Sequence, residues 1–315
     1  MRGQVLPEYL IGAGGWAYFQ IPGLHPLAAY SKAFNFVEVN STFYEIPPLK
    51  QAEKWRRIVP QDFQFTVRAH QTMTHTHRLQ PRPETLETFE KLRKICKILR
   101  AEIIHFQTPP SLKTKQESIR NIQDFLSTIS LGKMRIALET RGTSPSKLPS
   151  ELIKTMQEHN IIHCTDLSKG EMPACESNIL YSRLFGKGHH NIYQPTDEEL
   201  KEIDKKSSKG NFEKVILSFH FVRMYKDAAR LKIYKQTGKF PRITKSTGLT
   251  SLEQVLQEDA KFPAEKQQLI QSQGWKLFDL TPEKRIHARD LLQKLPEKTY
   301  NNINEVIQTL QSIIR

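Results

Sequence analysis

Eight short apolar or alternating runs, most of them followed by a longer stretch of helical periodicity, constrain this chain more than any other feature in it. The runs cover residues 9–13, 36–40, 64–69, 103–107, 135–140, 161–165, 180–184 and 214–219. Helical spacing is clearest over 82–99, where Leu86, Phe89, Leu92 and Cys96 share a face, and it returns over 118–129, 150–159 and 196–206. The last of these opens with Thr196 three residues before Glu199, the spacing of a capping box. Strands that alternate with helices in this way build α/β folds, either a closed parallel barrel or a doubly wound sheet. No G-x-G-x-x-G and no G-x-x-x-x-G-K-[ST] follows any strand, so a nucleotide cradle of the usual kinds is unsupported. The pattern predicts a (β/α)8 TIM-type barrel.

The chain has 315 residues, enough for one large domain and a small one. The barrel is expected over residues 1–242 and a small all-helical module over 243–315. In the module, Ser251 with Gln254 has capping-box spacing, and Thr281–Pro282 and Asn302 with Glu305 are expected to open later helices. Ile303, Val306, Ile307, Leu310 and Ile314 form one apolar stripe, which reads as the module's own core or as a face for protein interaction. The three cysteines, Cys96, Cys164 and Cys175, form no C-x-x-C pair. They fit a reducing, cytoplasmic setting, with Cys96 and Cys164 packed as small hydrophobes. No apolar leader and no stretch of ~20 apolar residues is present, so a soluble protein without a membrane partner is expected.

In a barrel, chemistry gathers at the C-terminal ends of the strands. Trp16 follows the first strand. Period-two alternation places Glu38, Asn40 and Thr42 on one face of the second, with Tyr44 just beyond. Arg68 ends the third strand and His75 lies in its loop. His105 and Gln107 come from the fourth strand, Glu139 and Arg141 from the fifth, Asp166 from the sixth, Tyr181 and Arg183 from the seventh, and His220 from the eighth. Burying so many ionisable groups costs several kcal/mol each unless they pair or act. One outcome is an internal ion network in which Arg68, Arg141 and Arg183 neutralise Glu38 and Glu139. The other is an active site. Glu38 or Glu139 would then be the general base and His75 the general acid, with the arginines stabilising charge on a phosphate. Asn40, Thr42, Tyr44, Trp16, Gln107, Asp166, Tyr181 and His220 would complete substrate binding. No cofactor is required by the pattern; a divalent ion (Mg²⁺, Mn²⁺ or Zn²⁺) is a candidate, with Glu139 and Asp166 as ligands for Mg²⁺ or Mn²⁺.

Lys and Arg number 47 against 33 Asp and Glu, a net charge of +14 that favours polyanionic or phosphate-bearing partners. The densest basic run is RMYKDAARLKIYKQTGKFPRITK. In it Arg223, Lys226, Arg230, Lys232, Lys235 and Lys239 face only Asp227, and Tyr225, Tyr234 and Phe240 are interleaved. Cations beside rings are what a single-stranded nucleic acid needs. A basic amphipathic helix with its tyrosines packed underneath would read the same way.

The segments GAGGWAYF, VEVNSTFYEIPP, EKWRRIVPQDFQFTVRAHQTMTH, FQTPPSL, LETRG, CTDLS, YSRLFGKG and IYQPTDEEL, spread from about Tyr9 to Tyr234, resemble the YecE-like family, domain of unknown function 72. The resemblance implies a TIM-type barrel related to the superfamily of endonuclease IV and xylose isomerase-like enzymes, and no particular activity. It places Glu38, Asn40, Thr42, Tyr44, Trp55, His75, Gln107, Glu139, Arg141, Asp166 and Arg183 at motif positions. The chain departs from the family pattern at Arg68, where a lysine is usual, at Phe185–Gly186, where His-Gly is usual, and at Phe219-His220-Phe221, where paired asparagines are usual. FPAEKQQLI and LPEKTYNNINEVIQTL resemble a second small helical domain of unknown function, number 2795. Together these features predict a hydrolase or nuclease-like enzyme acting on a phosphate-containing substrate, nucleic acid first. The alternatives are a non-catalytic nucleic-acid-binding protein and a sugar-phosphate isomerase or lyase.

Overall fold

All eight predicted strands form. In the computed structural model, which describes residues 7–112 and 115–314, they are β1 (Glu8–Ala13), β2 (Phe36–Val39), β3 (Gln64–Arg68), β4 (Ile103–Thr108), β5 (Arg135–Thr140), β6 (Ile162–His163), β7 (Ile179–Leu184) and β8 (Lys214–Phe219). Every pairing among them is parallel, in the order β6-β5-β4-β3-β2-β1-β8-β7. A single parallel bridge, Thr165 to Ser182, joins the two ends. The result is a nearly closed TIM barrel. Helices α1 (Pro26–Ala33), α2 (Leu49–Ile58), α3 (Pro83–Leu99), α4 (Gln116–Thr128), α5 (Ser150–Glu158) and α6 (Asp197–Ser207) fill the connections. Between β6 and β7 only a short 3₁₀ turn, Leu167–Lys169, takes a helix's place among the described residues.

Alternation along the strands sorts the barrel interior into layers. Leu10, Phe36, Ile103, Ala137, Ile162, Cys164, Tyr181 and Ile216 make a buried apolar plug. Two residues further along their strands, Glu38, His105, Glu139, Arg183 and Ser218 take the same inward side, so the polar layer rests on an apolar floor. The Thr196–Glu199 capping box closes in both directions, Thr196 N to Glu199 Oε2 at 3.0 Å and Glu199 N to Thr196 Oγ1 at 3.2 Å. No helix among the described residues is long and apolar enough to cross a membrane.

The chain divides into two compact units, Met1–Phe185 with Lys205–His220, and Gly186–Asp204 with Phe221–Arg315. The second contains α7 (Met224–Thr237), α8 (Gly248–Gln257), α9 (Lys266–Gln273), α10 (Arg289–Leu292) and α11 (Ile303–Ile314). Where a purely helical module is expected, two short antiparallel pairs appear as well. β9 (Ala264–Glu265) pairs with β12 (Thr299–Tyr300), and β10 (Leu277–Asp279) with β11 (Arg285–His287). Thr281–Pro282 therefore opens no helix. It turns the β10–β11 hairpin, Thr281 Oγ1 accepting from the backbone of Glu283 and Lys284. Ser251 lies inside α8, which starts after Thr247, and its hydroxyl accepts from Asp279 N at 2.9 Å. Asn302 does cap its helix, accepting from Glu305 N at 2.9 Å. Val306 and Leu310 of the apolar stripe join Leu252, Val255, Phe278 and Tyr300 in this unit's core, and Ile303 and Ile307 pack against it.

Within the second unit, Arg230 on α7 pairs with Asp197 at 2.6 Å and Asp227 at 3.0 Å, and Arg285 on β11 pairs with the same Asp197 at 2.7 Å. These pairs are buried, and Asp197 serves cations 33 and 88 residues away in sequence, Arg230 on α7 and Arg285 on β11.

Candidate active site

Glu38 sits fully buried on β2. Arg183 on β7 grips it from the side, Nε lying 3.1 Å from both carboxylate oxygens and Nη2 2.9 Å from Oε1. The Tyr181 hydroxyl donates to Oε2 at 2.8 Å, and His220 Nε2 lies 3.4 Å from Oε1. Arg183 spends its remaining nitrogen, Nη1, on Glu139 Oε2 at 2.7 Å. One guanidinium thus ties together two carboxylates from separate strands, β2 and β5. Burial alone would raise both carboxyl pKa values, but Arg183, helped by His220 at Glu38 and by His105 at Glu139, holds both well below the ordinary range. Both groups are therefore anions and weak proton acceptors.

The rim above this layer is a chain of polar contacts. Glu139 Oε1 accepts from Gln107 Nε2 at 2.8 Å and from Arg141 Nε at 3.0 Å. Gln107 Oε1 accepts from Arg68 Nη2 at 2.6 Å, and Asn40 Oδ1 from Arg68 Nη1 at 2.8 Å. Arg68 Nε is buried without a hydrogen-bond partner among the described residues. Burial and the nearby Arg183 lower the Arg68 pKa to about 10, leaving it charged at neutral pH. Its guanidinium lies 3.7 Å from the centre of the Phe43 ring, and His75 meets the same ring edge-on at 4.9 Å. His75 belongs to a π-turn, Thr72–Thr76, and Thr74 Oγ1 lies 2.9 Å from its Nδ1. Burial, Arg68 and Arg141 all lower its pKa, so the imidazole is neutral at pH 7. Phe185 stacks on His220 at 4.7 Å, and Arg183 and Arg141 lie 5.0 and 5.2 Å from its ring centre.

The structure brings Glu38, Glu139, Arg68, Gln107, Asn40, Arg141, Tyr181, Arg183 and His220 into one network, with His75 beside it. It places the other candidates elsewhere. β2 ends at Val39 and a 3₁₀ turn follows, so the Thr42 hydroxyl turns back onto the carbonyls of Val39 and Arg68. Tyr44 is 68% exposed and packs edge-on against Phe43. Trp16 packs against Trp55 at 5.1 Å. Asp166 spends Oδ1 on the backbone and hydroxyl of Ser168 and Oδ2 on Phe185 N at 3.0 Å, and so caps the turn after β6. In the basic run, Arg223 pairs with Glu258, Arg230 is buried against Asp197 and Asp227, Lys235 pairs with Asp204 at 2.5 Å, and Lys226 lies 3.5 Å from Glu258. Tyr234 stacks on Phe240 at 4.3 Å. Lys239 is exposed and Lys232 half-buried. Counting acids within the run finds Asp227 but misses Asp197, Asp204 and Glu258, which come from other segments.

Sequence reasoning missed Phe43 and Phe185 as the aromatic surfaces under the arginines, and it read Cys164 only as packing. Cys164, His105 and Glu139 offer donor atoms that all lie within 4.8 Å of one another, a set that could hold a metal ion.

The family model described as protein of unknown function DUF72 matches residues 10–237. The chain belongs to the DUF72 family. Its segment over 184 residues is 28% identical to the UPF0759 protein YunF of Bacillus subtilis, covering 54% of this chain and 64% of that protein, so it spans somewhat under two thirds of that relative's length. Among solved structures, a DUF72 protein of Thermotoga maritima superposes with a TM-score of 0.57 at 18% identity, covering 73% of this chain and 99% of the other. One from Enterococcus faecalis gives 0.56 at 15% identity, covering 74% and 98%. At these identities the likeness concerns the barrel. The DUF72 match ends at 237, and residues 238–315 lie outside it.

Proposed function

We propose that the barrel mouth is an active site for a phosphate-bearing substrate. One observation carries this: three guanidiniums, Arg68, Arg141 and Arg183, meet two carboxylates, Glu38 and Glu139, and the surrounding imidazoles are neutral. The mouth therefore keeps one uncompensated positive charge. Arg183 is saturated by the carboxylates, so recognition falls to the rim. Arg141 is 41% exposed, and Arg68 has a spare donor at Nε. A phosphate oxygen accepting from the exposed Arg141 guanidinium would neutralise the excess charge, with the nearby charge of Arg68 adding attraction.

Proton transfer falls to His75 rather than to the carboxylates. Its neutral imidazole stands beside Arg68 and can take a proton from water or a substrate hydroxyl at neutral pH. Glu139 holds Gln107 and Arg141 in place, and Glu38 holds Arg183. Hydrolysis of a phosphoester is the reaction these parts suit, and none of these roles uses a metal.

The test begins with inorganic phosphate. Titration calorimetry should show it binding to the whole protein, at least tenfold more weakly in Arg141→Ala and Arg68→Gln. A panel of phosphomonoesters, phosphodiesters and single-stranded oligonucleotides then identifies the substrate class. His75→Asn should lower kcat on the preferred member by about 10²–10⁴-fold with little change in KM. The wild-type rate should rise with pH through a midpoint below ~6.5. Phosphate that fails to bind, or binds equally to the two arginine variants, refutes the assignment.

A further inference from the structure

We infer that His105, Glu139 and Cys164 form a binding site for a thiophilic divalent ion such as Zn²⁺. The inference concerns the layer beneath the rim and stands independently of which substrate the mouth accepts. The three side chains come from adjacent strands or just beyond them: His105 from β4, Glu139 from β5, and Cys164 one residue after β6. Parallel pairing brings β4 and β5 into register at His105↔Ala137 and Gln107↔Glu139, and β5 and β6 at Leu138↔His163. One donor atom from each lies within 4.8 Å of the other two, so small side-chain shifts would let one ion at ~2.0–2.3 Å touch all three.

His105 supplies the second, independent observation. Its side chain is fully buried, and neither ring nitrogen has a hydrogen-bond partner among the described residues. Nε2 lies 3.2 Å from Glu139 Oε2, in an orientation that makes no hydrogen bond. Buried imidazole nitrogens are normally satisfied. The ring is instead held by stacking on Tyr181, at 5.8 Å between centroids and 12° between planes. Such an imidazole is oriented and desolvated, with Nδ1 unpartnered and Nε2 already facing the Glu139 carboxylate, which suits a ligand beside a shared ion.

Ligand chemistry supports the same assignment. Arg183 Nη1, 2.7 Å from Glu139 Oε2, already steadies the carboxylate from outside. A thiolate and an imidazole select a borderline or soft ion over Mg²⁺. The exchange balances: the Cys164 S–H bond breaks, its proton leaves to buffer, and the sulfur lone pair forms the bond to the ion. With three protein ligands, one coordination position remains for water or substrate.

The experiment uses the whole protein and the metal alone. Zn²⁺ should bind one per chain by equilibrium dialysis, and calorimetry in buffers of different ionisation enthalpy should show about one proton released per ion. Co²⁺ loaded in its place should give a thiolate-to-metal charge-transfer band. Cys164→Ser and His105→Asn should each lose the band and weaken binding at least tenfold, whereas Cys175→Ser should keep both. If Cys164→Ser fails to fold, X-ray absorption on the intact zinc-loaded protein decides, one sulfur scatterer at ~2.3 Å supporting the site. Failure of stoichiometric binding, a band retained in Cys164→Ser, or an absorption spectrum without sulfur overturns it. Phosphate binding at the rim is read separately, so a negative metal result leaves that assignment standing.

Discussion

Arg183 shows what single residues contribute here. With about 2% of its side chain exposed and four contacts to carboxylate oxygens at 3.1 Å or less, it holds Glu38 and Glu139 ionised inside a barrel. Replacing it with Met should cost about 3–5 kcal/mol in urea unfolding, because Glu38 would remain buried without its partner. Two histidines give the molecule an acid limit. Burial pulls His163 and His220 down to about 4. An unfolded histidine titrates near ~6.5. Both are therefore neutral in the fold and take up protons on unfolding below that value. Their contribution to stability is complete above ~6.5 and is lost as pH falls toward 4. Asp166 and Asp227, pushed up to about 6 by burial, act with the opposite sign, their contribution fading as pH rises from ~4 to 6. A difference measurement isolates one group. In His163→Asn, whose amide oxygen can replace Nδ1 as acceptor for Ala174 N, the pH dependence of unfolding free energy between 4.5 and 6.5 should flatten by about one proton.

At the level of elements, the barrel has two thin seams. β6 meets β7 through one bridge only. β1 and β2 share a single register pair, Ala13↔Val37, and the Tyr30 hydroxyl of α1 spans the gap, accepting from Ala13 N at 2.8 Å and donating to Phe36 O at 2.8 Å. Gly12 leaves room for this crossing, since a Cβ there would fall 2.2 Å from Phe36 O and 2.7 Å from the Tyr30 oxygen. Tyr30→Phe strands a buried donor and a buried acceptor. It should destabilise the protein by about 1–3 kcal/mol and speed amide exchange at Ala13, measured by hydrogen exchange. Gly14 has a related task next to β8: a Cβ there would stand 2.2 Å from His220 Cε1. These seams were not legible in the sequence. The runs at 9–13 and 36–40 announce strands, but nothing in them says that a tyrosine from the helix between will replace part of a ladder.

Across the whole chain, the net charge of +14 proved a poor guide to where free cations lie. The densest basic run is largely occupied by acids from other segments, and Asp197 is the clearest case, serving both Arg230 and Arg285. Asp197→Ala leaves two buried guanidiniums short of a counterion. It should lower the stability of the second compact unit by about 3–5 kcal/mol. The reporter is Trp275, which lies in that unit and becomes the sole tryptophan in a Trp16→Phe, Trp55→Phe background. An unfolding midpoint unchanged by the substitution would show that the network carries no stability.

Strand number, the alternation of strand with helix and two of the helix caps were all present in the sequence, because each depends on neighbours a few residues apart. Partner choice among the charges was not. Glu38 and Arg183 are separated by 145 residues, and Arg230 and Asp197 by 33. Periodicity states that such groups turn inward or outward, yet whether a cation faces an acid, a glutamine or open water depends on distances fixed only when the sheet curls into a barrel. Coulomb energies change steeply over those few ångströms, so the fold's outline was local information and its electrostatics belong to the tertiary structure.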